Sequence, residues 1–395
     1  MVKKNKFREN YVFLGLVCLF FAIGALSLIK TPSRVSVSEN RSLNQFQHFT
    51  IKDFLNGSFQ SNFEQALSDQ FIKSGKIRTL YGDAISSLPD YGISNLICKN
   101  RYIDLGGSKF DNATFNCDDF IVWKPIIMNT PRRNILSKNI KAMDFVSNTI
   151  DTYIYYIDES QVFNFEEGSK VVNFDEVIRK NISGNFSFFG RLYDSYDQLK
   201  EVFYKTDHHW NYIGSYRGYC DISDMLGFEP ARPSGTITQY EDFFGSKARD
   251  ARSYDFKDEF IIYKFNLPDH DTFVNHKLGA YGHYEDFEKH NYIYNRTSFY
   301  AWVYGNDYGE VKFDFHQPDK ENLLIFSNSF DNPINVLIAQ HYNNTYAVDL
   351  RHYKEQLGED FDLKKYITEN QIDKVLFIIN PLFLLNNAST SGLES

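Results

Sequence analysis

The sequence predicts an α/β protein whose mainly parallel sheet is covered by helices on both faces. Three observations predict it. Thr152–Ile157, Leu323–Phe326 and Lys374–Ile379 are short apolar or β-branched runs of the kind that form buried strands. Segments of helical spacing alternate with such runs, which implies crossover connections and a parallel strand order. The chain has 395 residues, 43% hydrophobic and 17% aromatic, which excludes a disordered chain and allows one large domain or two.

Tyr11 to Ile29 form an uncharged apolar run about long enough to cross a bilayer as a helix. Lys3, Lys4, Lys6 and Arg8 precede it. Residues 1–10 are therefore expected in the cytoplasm, 11–29 as a transmembrane anchor, and the remainder outside a cell membrane crossed once. A cleaved signal peptide is the rival, but no clean small-x-small site follows Leu28. Residues 30–90 read as a polar stalk and N-terminal helices, because Phe54, Phe59, Phe63, Leu67 and Phe71 recur at helical spacing. Those rings are expected to pack rather than bind.

Residues 91–395 read as the α/β body. After strand Thr152–Ile157, helices are expected over Tyr193–Tyr204 and over Ile213–Leu226, the latter ending at Gly227. Strand Leu323–Phe326 runs into Ser327-Asn328-Ser329-Phe330, and a helix is expected from Ile334 to His341. Strand Tyr346–Leu350, helix Leu363–Glu369 and strand Lys374–Ile379 complete the body. An insertion at about 228–300 is looser and rich in Tyr, Phe, Asp and His. It is either a lid whose rings stack on sugars or a packed β-rich excursion.

A net charge of −9 argues against a nucleic-acid surface and against holding a strongly anionic polymer by bulk charge. No CxxC pair, HExxH or Walker loop occurs, and His270, His276, His283 and His290 lack ligand spacing, so neither a metal nor another cofactor is expected. Cys98 and Cys117 bracket Leu105-Gly106-Gly107-Ser108 and are either a disulfide or two unrelated thiols. Cys220, on a predicted helix, reads as a packed thiol.

Chemistry concentrates in Lys205-Thr206-Asp207-His208-His209-Trp210-Asn211. Adjacent imidazoles beside a carboxylate are hard to bury without partners. Asp207 and His209 are two apart, which suits a loop entering the following helix, with the carboxylate fixing the imidazole tautomer. Ser329 falls at a strand-to-helix turn, where its hydroxyl can meet the other imidazole nitrogen and the next helix's N–H groups can face negative charge. These residues point to hydrolase-like acyl transfer with Ser329 as nucleophile, His209 as base and Asp207 as its partner. His208 is the competing base. The plainer alternative is a helix start with a satisfied His and a buried Trp. No GxSxG elbow is present.

The chain resembles the family named for its DHHW motif, a branch of SGNH-hydrolase-like proteins similar to the alginate O-acetyltransferases. Thr206-Asp207-His208-His209-Trp210-Asn211 carries the signature, and Leu324-Ile325-Phe326-Ser327-Asn328-Ser329-Phe330 resembles the strand-Asp-Ser-Phe segment, with Asn328 where the family has Asp. Val348-Asp349-Leu350-Arg351-His352-Tyr353 resembles its Asp-Leu-Arg-Tyr segment; Glu39-Asn40-Arg41 and Asp69-Gln70-Phe71 match weaker features. The resemblance implies an SGNH-hydrolase-like three-layer α/β/α sandwich and an acyl transferase or esterase, acetyl first, acting on a cell-envelope polysaccharide. It implies a membrane O-acyltransferase partner supplying acyl groups if the reaction is transfer. Gly305 and Asn306 stand where oxyanion donors are expected, and Arg351 where a substrate contact or a structural ion pair is expected. Two alternatives stay open: a non-catalytic glycan-binding or assembly protein with a degenerate site, and D-alanyl transfer to teichoic acid.

Overall fold

The structure is a computed structural model. It describes residues 11–71 with interruptions, short segments at 102–103 and 114–117, residues 120–279 apart from 124, 165–168 and 252–256, and residues 300–394 apart from 306. The chain divides into two compact units, Met1–Pro89 and Asp90–Ser395.

In the first unit, the described residues between 11 and 29 are helical, and Tyr11, Leu14, Phe21, Leu26 and Ile29 are exposed. Among the described residues no helix is long and apolar enough to cross a membrane, and the expected anchor lies only partly within them. Helices Ile51–Leu55 and Ser58–Gln70 follow. Their spaced aromatics pack on one another: the Phe59 ring lies 5.2 Å from Phe49 and 6.0 Å from Phe63, and Phe46 lies 5.6 Å from Phe63. The part of the expected 30–90 segment beyond Phe71 falls outside the described residues, as does Cys98 of the candidate disulfide.

The second unit is built on an eight-stranded sheet. In chain order its strands are β1 (Asp151–Ile157), β2 (Phe186–Arg191), β3 (Asp271–Val274), β4 (Lys277–Leu278), β5 (Glu310–Asp314), β6 (Leu323–Phe326), β7 (Asn344–Val348) and β8 (Lys374–Ile379). Their spatial order is β4-β3-β5-β7-β6-β8-β1-β2. From β7 through β6, β8 and β1 to β2 every pairing is parallel, whereas β5, β3 and β4 extend one edge antiparallel. All four residues of β6 and all but the first of β8 are buried, which explains their unbroken apolar sequences.

Several elements differ from the sequence expectation. Helix Tyr196–Val202 is shorter at both ends, because Ser195 caps its start and Phe203 bridges Trp210 across the turn. Strand β7 ends at Val348 because Asp349 accepts from Arg351 N and starts helix Leu350–Leu357. The insertion is more regular than its composition suggests. It forms an antiparallel hairpin, Gly235–Phe243 with Asp258–Lys264, and then contributes β3 and β4 to the sheet. Cys220 lies half-buried on helix Tyr212–Leu226, with its thiol pushed up by burial.

The parallel strands bring distant residues to one end of the sheet. Glu159 follows β1, Ser329 follows β6, Asp349 follows β7 and Asn380 follows β8. That is the end at which an open α/β sheet offers a crevice.

Candidate active site

The Asp-His segment sits between helices Tyr196–Val202 and Tyr212–Leu226. Its conformation is fixed by hydrogen bonds that its own sequence does not reveal. The Asp258 carboxylate accepts from Lys205 N at 2.9 Å, Thr206 N at 2.8 Å and Thr206 Oγ1 at 2.6 Å. Gly245 N donates to Thr206 Oγ1 at 3.0 Å and Ala248 N to Thr206 O at 3.0 Å. At the far end Asn211 Oδ1 accepts from Ile213 N and Gly214 N, capping the second helix. Trp210 is buried against Gly218, where an added Cβ would stand 2.5 Å from the indole. Trp210 and Asn211 thus serve the helix start, as the plainer reading proposes.

Asp207 and His209 do more. Asp207 Oδ2 accepts from Ser246 N at 2.6 Å, and Oδ1 accepts from His209 N at 3.0 Å. Oδ1 also lies 2.6 Å from His209 Nδ1, and His209 Nε2 lies 2.7 Å from Ser329 Oγ. A carboxylate on Nδ1 places the proton there and leaves Nε2 as an acceptor for the serine hydroxyl. The His209 ring lies flat on Tyr300, with centroids 3.7 Å apart and planes 3° apart, so its rotation is restricted. His208 turns elsewhere: its Nδ1 meets Ser246 Oγ at 2.7 Å and its ring stacks on Trp123.

Ser329 is half-buried on a turn. Ser327 Oγ donates to Ile378 O, Asn328 Nδ2 donates to Asn380 Oδ1 at 2.9 Å, and Asn328 Oδ1 accepts from Phe330 N. The helix expected just beyond begins only at Asn335, and its leading N–H groups are taken: Ile334 N and Asn335 N donate to Asp331 O, and Val336 N donates to Asn335 Oδ1. The expectation that this helix would face the oxyanion is therefore corrected. Gly305, with φ of 90°, turns its carbonyl to Asn332 Nδ2 at 3.4 Å, and Asn306 lies outside the described residues. Arg351 is engaged by Asp349, with Nε 2.9 and 3.0 Å from the two carboxylate oxygens, and lies 3.6 Å from Asp307.

Two groups of described residues bring potential metal ligands within 4.8 Å of one another: Asp207, His208 and His209, and Asp307, Asp349 and His352. In the first, Asp207 Oδ1, His208 Nδ1 and both His209 nitrogens are engaged in the hydrogen bonds above. In the second, the Arg351 guanidinium occupies the carboxylates and opposes a cation.

Sequence reasoning missed the short helix Ser246–Ala251, which wraps the acid from the insertion. Lys247 on it is fully buried over the Phe120 ring at 4.8 Å. Burial pushes this lysine down to about 8, opposed first by Asp207 and then by Glu159 and Asp258. Burial pushes Glu159 up to about 8, opposed by Lys247 and by Asn380 Nδ2, which donates to Glu159 Oε1 at 2.5 Å. Asn328, Asn380, Glu159, Lys247 and Asp207 thus link the serine turn to the acid through buried polar groups. Gly245 makes the close wrap possible, since a Cβ there would lie 2.2 Å from Asp207 Cβ and 2.6 Å from Oδ2. Gly245→Ala should displace Asp207, lowering the melting temperature and slowing acyl-ester turnover at least tenfold. Unchanged values in thermal denaturation and ester assays would show that Asp207 needs no such clamp.

No family model matches the sequence, and no curated protein matches it. Solved structures do match. One is a DHHW family protein from Eubacterium siraeum, with TM-score 0.53, 16% identity, and 73% of this chain and 97% of that chain covered. The chain has the fold of a DHHW family protein. Bacillus cereus PatB1 is similar as well, with TM-score 0.54, 17% identity, and 71% of this chain and 99% of that chain covered. So is PatB1 with a sulfonyl adduct, with TM-score 0.53, 17% identity, and 71% and 98% covered. In this chain the four residues are split: Asp207 holds His209, whose Nε2 meets Ser329, while His208 meets Ser246 and Trp210 is buried.

Proposed function

We propose that this chain is a membrane-anchored, extracytoplasmic acyl transferase or esterase of the three-layer SGNH type, acting on a cell-envelope polysaccharide through Asp207, His209 and Ser329. The observation that carries the proposal is the unbroken chain of contacts, 2.6 Å from Asp207 to His209 and 2.7 Å from His209 to Ser329.

In the first half-reaction His209 Nε2 takes the Ser329 hydroxyl proton as Oγ attacks the acyl carbonyl carbon. The tetrahedral intermediate collapses with its C–O bond to the leaving alcohol breaking, and His209 returns the proton to that alcohol. An acyl ester on Ser329 remains. In the second half-reaction a sugar hydroxyl or water gives its proton to Nε2 and attacks the ester carbonyl; the C–Oγ bond then breaks and His209 returns the proton to Oγ, restoring Ser329. Asp207 holds the imidazole tautomer and stabilises the imidazolium. The transfer direction requires a membrane O-acyltransferase partner to deliver acyl groups; hydrolysis requires none.

A fluorophosphonate probe tests the nucleophile. Labelling should vanish in Ser329→Ala and weaken in His209→Ala. An unlabelled protein that still binds envelope glycan would show a binding module instead. Asp207→Asn should slow acyl-ester turnover about a thousandfold or more, since the imidazole loses its tautomer lock, while glycan binding persists. Parallel loss of both, read by kinetics and calorimetry, would make Asp207 a structural residue.

A further inference from the structure

A cavity of about 370 Å³ is lined by β3, β5 and β7 and by helices Leu350–Leu357 and Leu363–Asn370. None of Asp207, His209 or Ser329 lines it. Phe273, Lys312 and Tyr346 are partners across the three strands, so their side chains share one face of the sheet. Lys312 Nζ stands over both rings, 5.3 Å from the centre of Phe273 and 5.7 Å from that of Tyr346. The protein's own cation thus takes these ring faces, and a ligand must be held by polar atoms.

Those atoms gather around Glu310, which is buried. One carboxylate oxygen accepts from Tyr366 OH at 2.6 Å, and the other lies 3.3 Å from His276 Nε2. Tyr346 and Tyr353 also line the cavity and are only 7% and 4% exposed. Among the described residues neither hydroxyl has a hydrogen-bond partner, and neither is among the polar atoms closed off from solvent. Burial and then the Glu310 charge push both phenols up, Tyr346 to about 12, so each keeps its proton at neutral pH. A phenol this deep ordinarily finds a partner. Two that lack one, on the wall of an open cavity, mark positions for the polar atoms of a ligand.

The charge of the wall sets the sign of that ligand. Glu310, Glu359, Asp360, Asp362 and Glu369 stand against Lys312 and Lys365, and only Asp360 is engaged by a lysine outside the cavity, Lys354 at 2.7 Å. These acids and His276 form no group whose ligand atoms lie within 4.8 Å of one another among the described residues, which suits an ammonium rather than a metal ion. Acceptors are needed too, because the phenols and Lys365 are donors, and a polyamine offers none. A sugar ring with a free amine supplies both. At about 30 Å³ for each water-sized group, the cavity has room for roughly a dozen, enough for one hexosamine.

We infer that this cavity binds a protonated amino-sugar residue of a glycan, at a site separate from Ser329. The ammonium faces Glu310 and the rim acids, and the ring hydroxyls meet Tyr346 and Tyr353. Calorimetry on the full chain tests it with a tetramer of glucosamine, the same tetramer fully N-acetylated, and spermidine. The free-amine tetramer should bind at least tenfold more tightly than either of the others. Glu310→Gln, which keeps an acceptor for Tyr366, should weaken it at least tenfold. Tyr346→Phe combined with Tyr353→Phe should do the same, and this pair carries the test if Glu310→Gln does not fold. Ser329→Ala should bind as the parent does, so the outcome is independent of the proposed acyl transfer. Equal binding of the N-acetylated tetramer or of spermidine, binding untouched by the tyrosine pair, binding lost in Ser329→Ala, or none at millimolar tetramer would each overturn the inference.

Discussion

Ser329→Ala is expected to abolish turnover of p-nitrophenyl esters, by at least about ten-thousandfold, with the melting temperature within about 2 °C of the parent. The size of the loss follows from the geometry. His209 can act only by moving the Oγ proton, and with Oγ absent the imidazole faces nothing it can activate except stray water. The small stability effect follows too. Ser329 is only half-buried, whereas its neighbours Ser327, Asn328 and Phe330 are buried and hold the turn through their own hydrogen bonds. His209 keeps Asp207 on one side and Tyr300 against its face. Steady-state kinetics and thermal denaturation of the same preparation check both parts. Retained turnover would place the nucleophile elsewhere, and a drop of many degrees would make the hydroxyl a structural group.

The sequence exposes this chemistry to the extent that it is local. Asp207 and His209 are two apart on a loop whose end is marked by the Asn211 cap, and Ser329 follows a strand whose four residues are all apolar. Strand ends in a parallel sheet converge, so a distant Ser and a loop His can be expected at the same place. Other elements were visible in principle. Helix Thr130–Ser147 opens with the Asn129 cap and Pro131, and buries Leu136, Ile140 and Met143 at helical spacing. By contrast, β5 (Glu310–Asp314) alternates too briefly to announce a strand that pairs with β7 and β3. What stays hidden is set by tertiary partners. Asp258 organises Thr206 from about 50 residues away, and nothing in Gly245-Ser246-Lys247 tells that it will enclose a carboxylate. The turn after Ser329 likewise depends on Asp331 O taking the N–H groups that a helix would have offered.

Lys247→Met is expected to destabilise the second unit by about 3–5 kcal/mol, because it leaves Asp207 and Asp258 without the cation buried near them. Lys247, Glu159 and Asp207 are each almost wholly removed from solvent, so water cannot replace the lost charge. Adding Glu159→Gln should change stability little at neutral pH, since Glu159 is already held neutral by burial and the amide can still accept from Asn380. The pH dependence gives a sharper test. Glu159 is raised from 4.5 to about 8 in the folded chain, so its contribution is full below pH 4.5 and is lost as pH rises through 8. Lys247 is lowered from 10.5 to about 8, so its contribution is full above pH 10.5 and is lost as pH falls through 8. The stability of the parent minus that of the double variant should therefore pass through a minimum near pH 8, measured by denaturant unfolding from pH 5 to 10. A flat difference would show that the two groups keep their solution behaviour inside the fold, and that the lysine is held there by the Phe120 and Trp123 rings rather than by the acids around it.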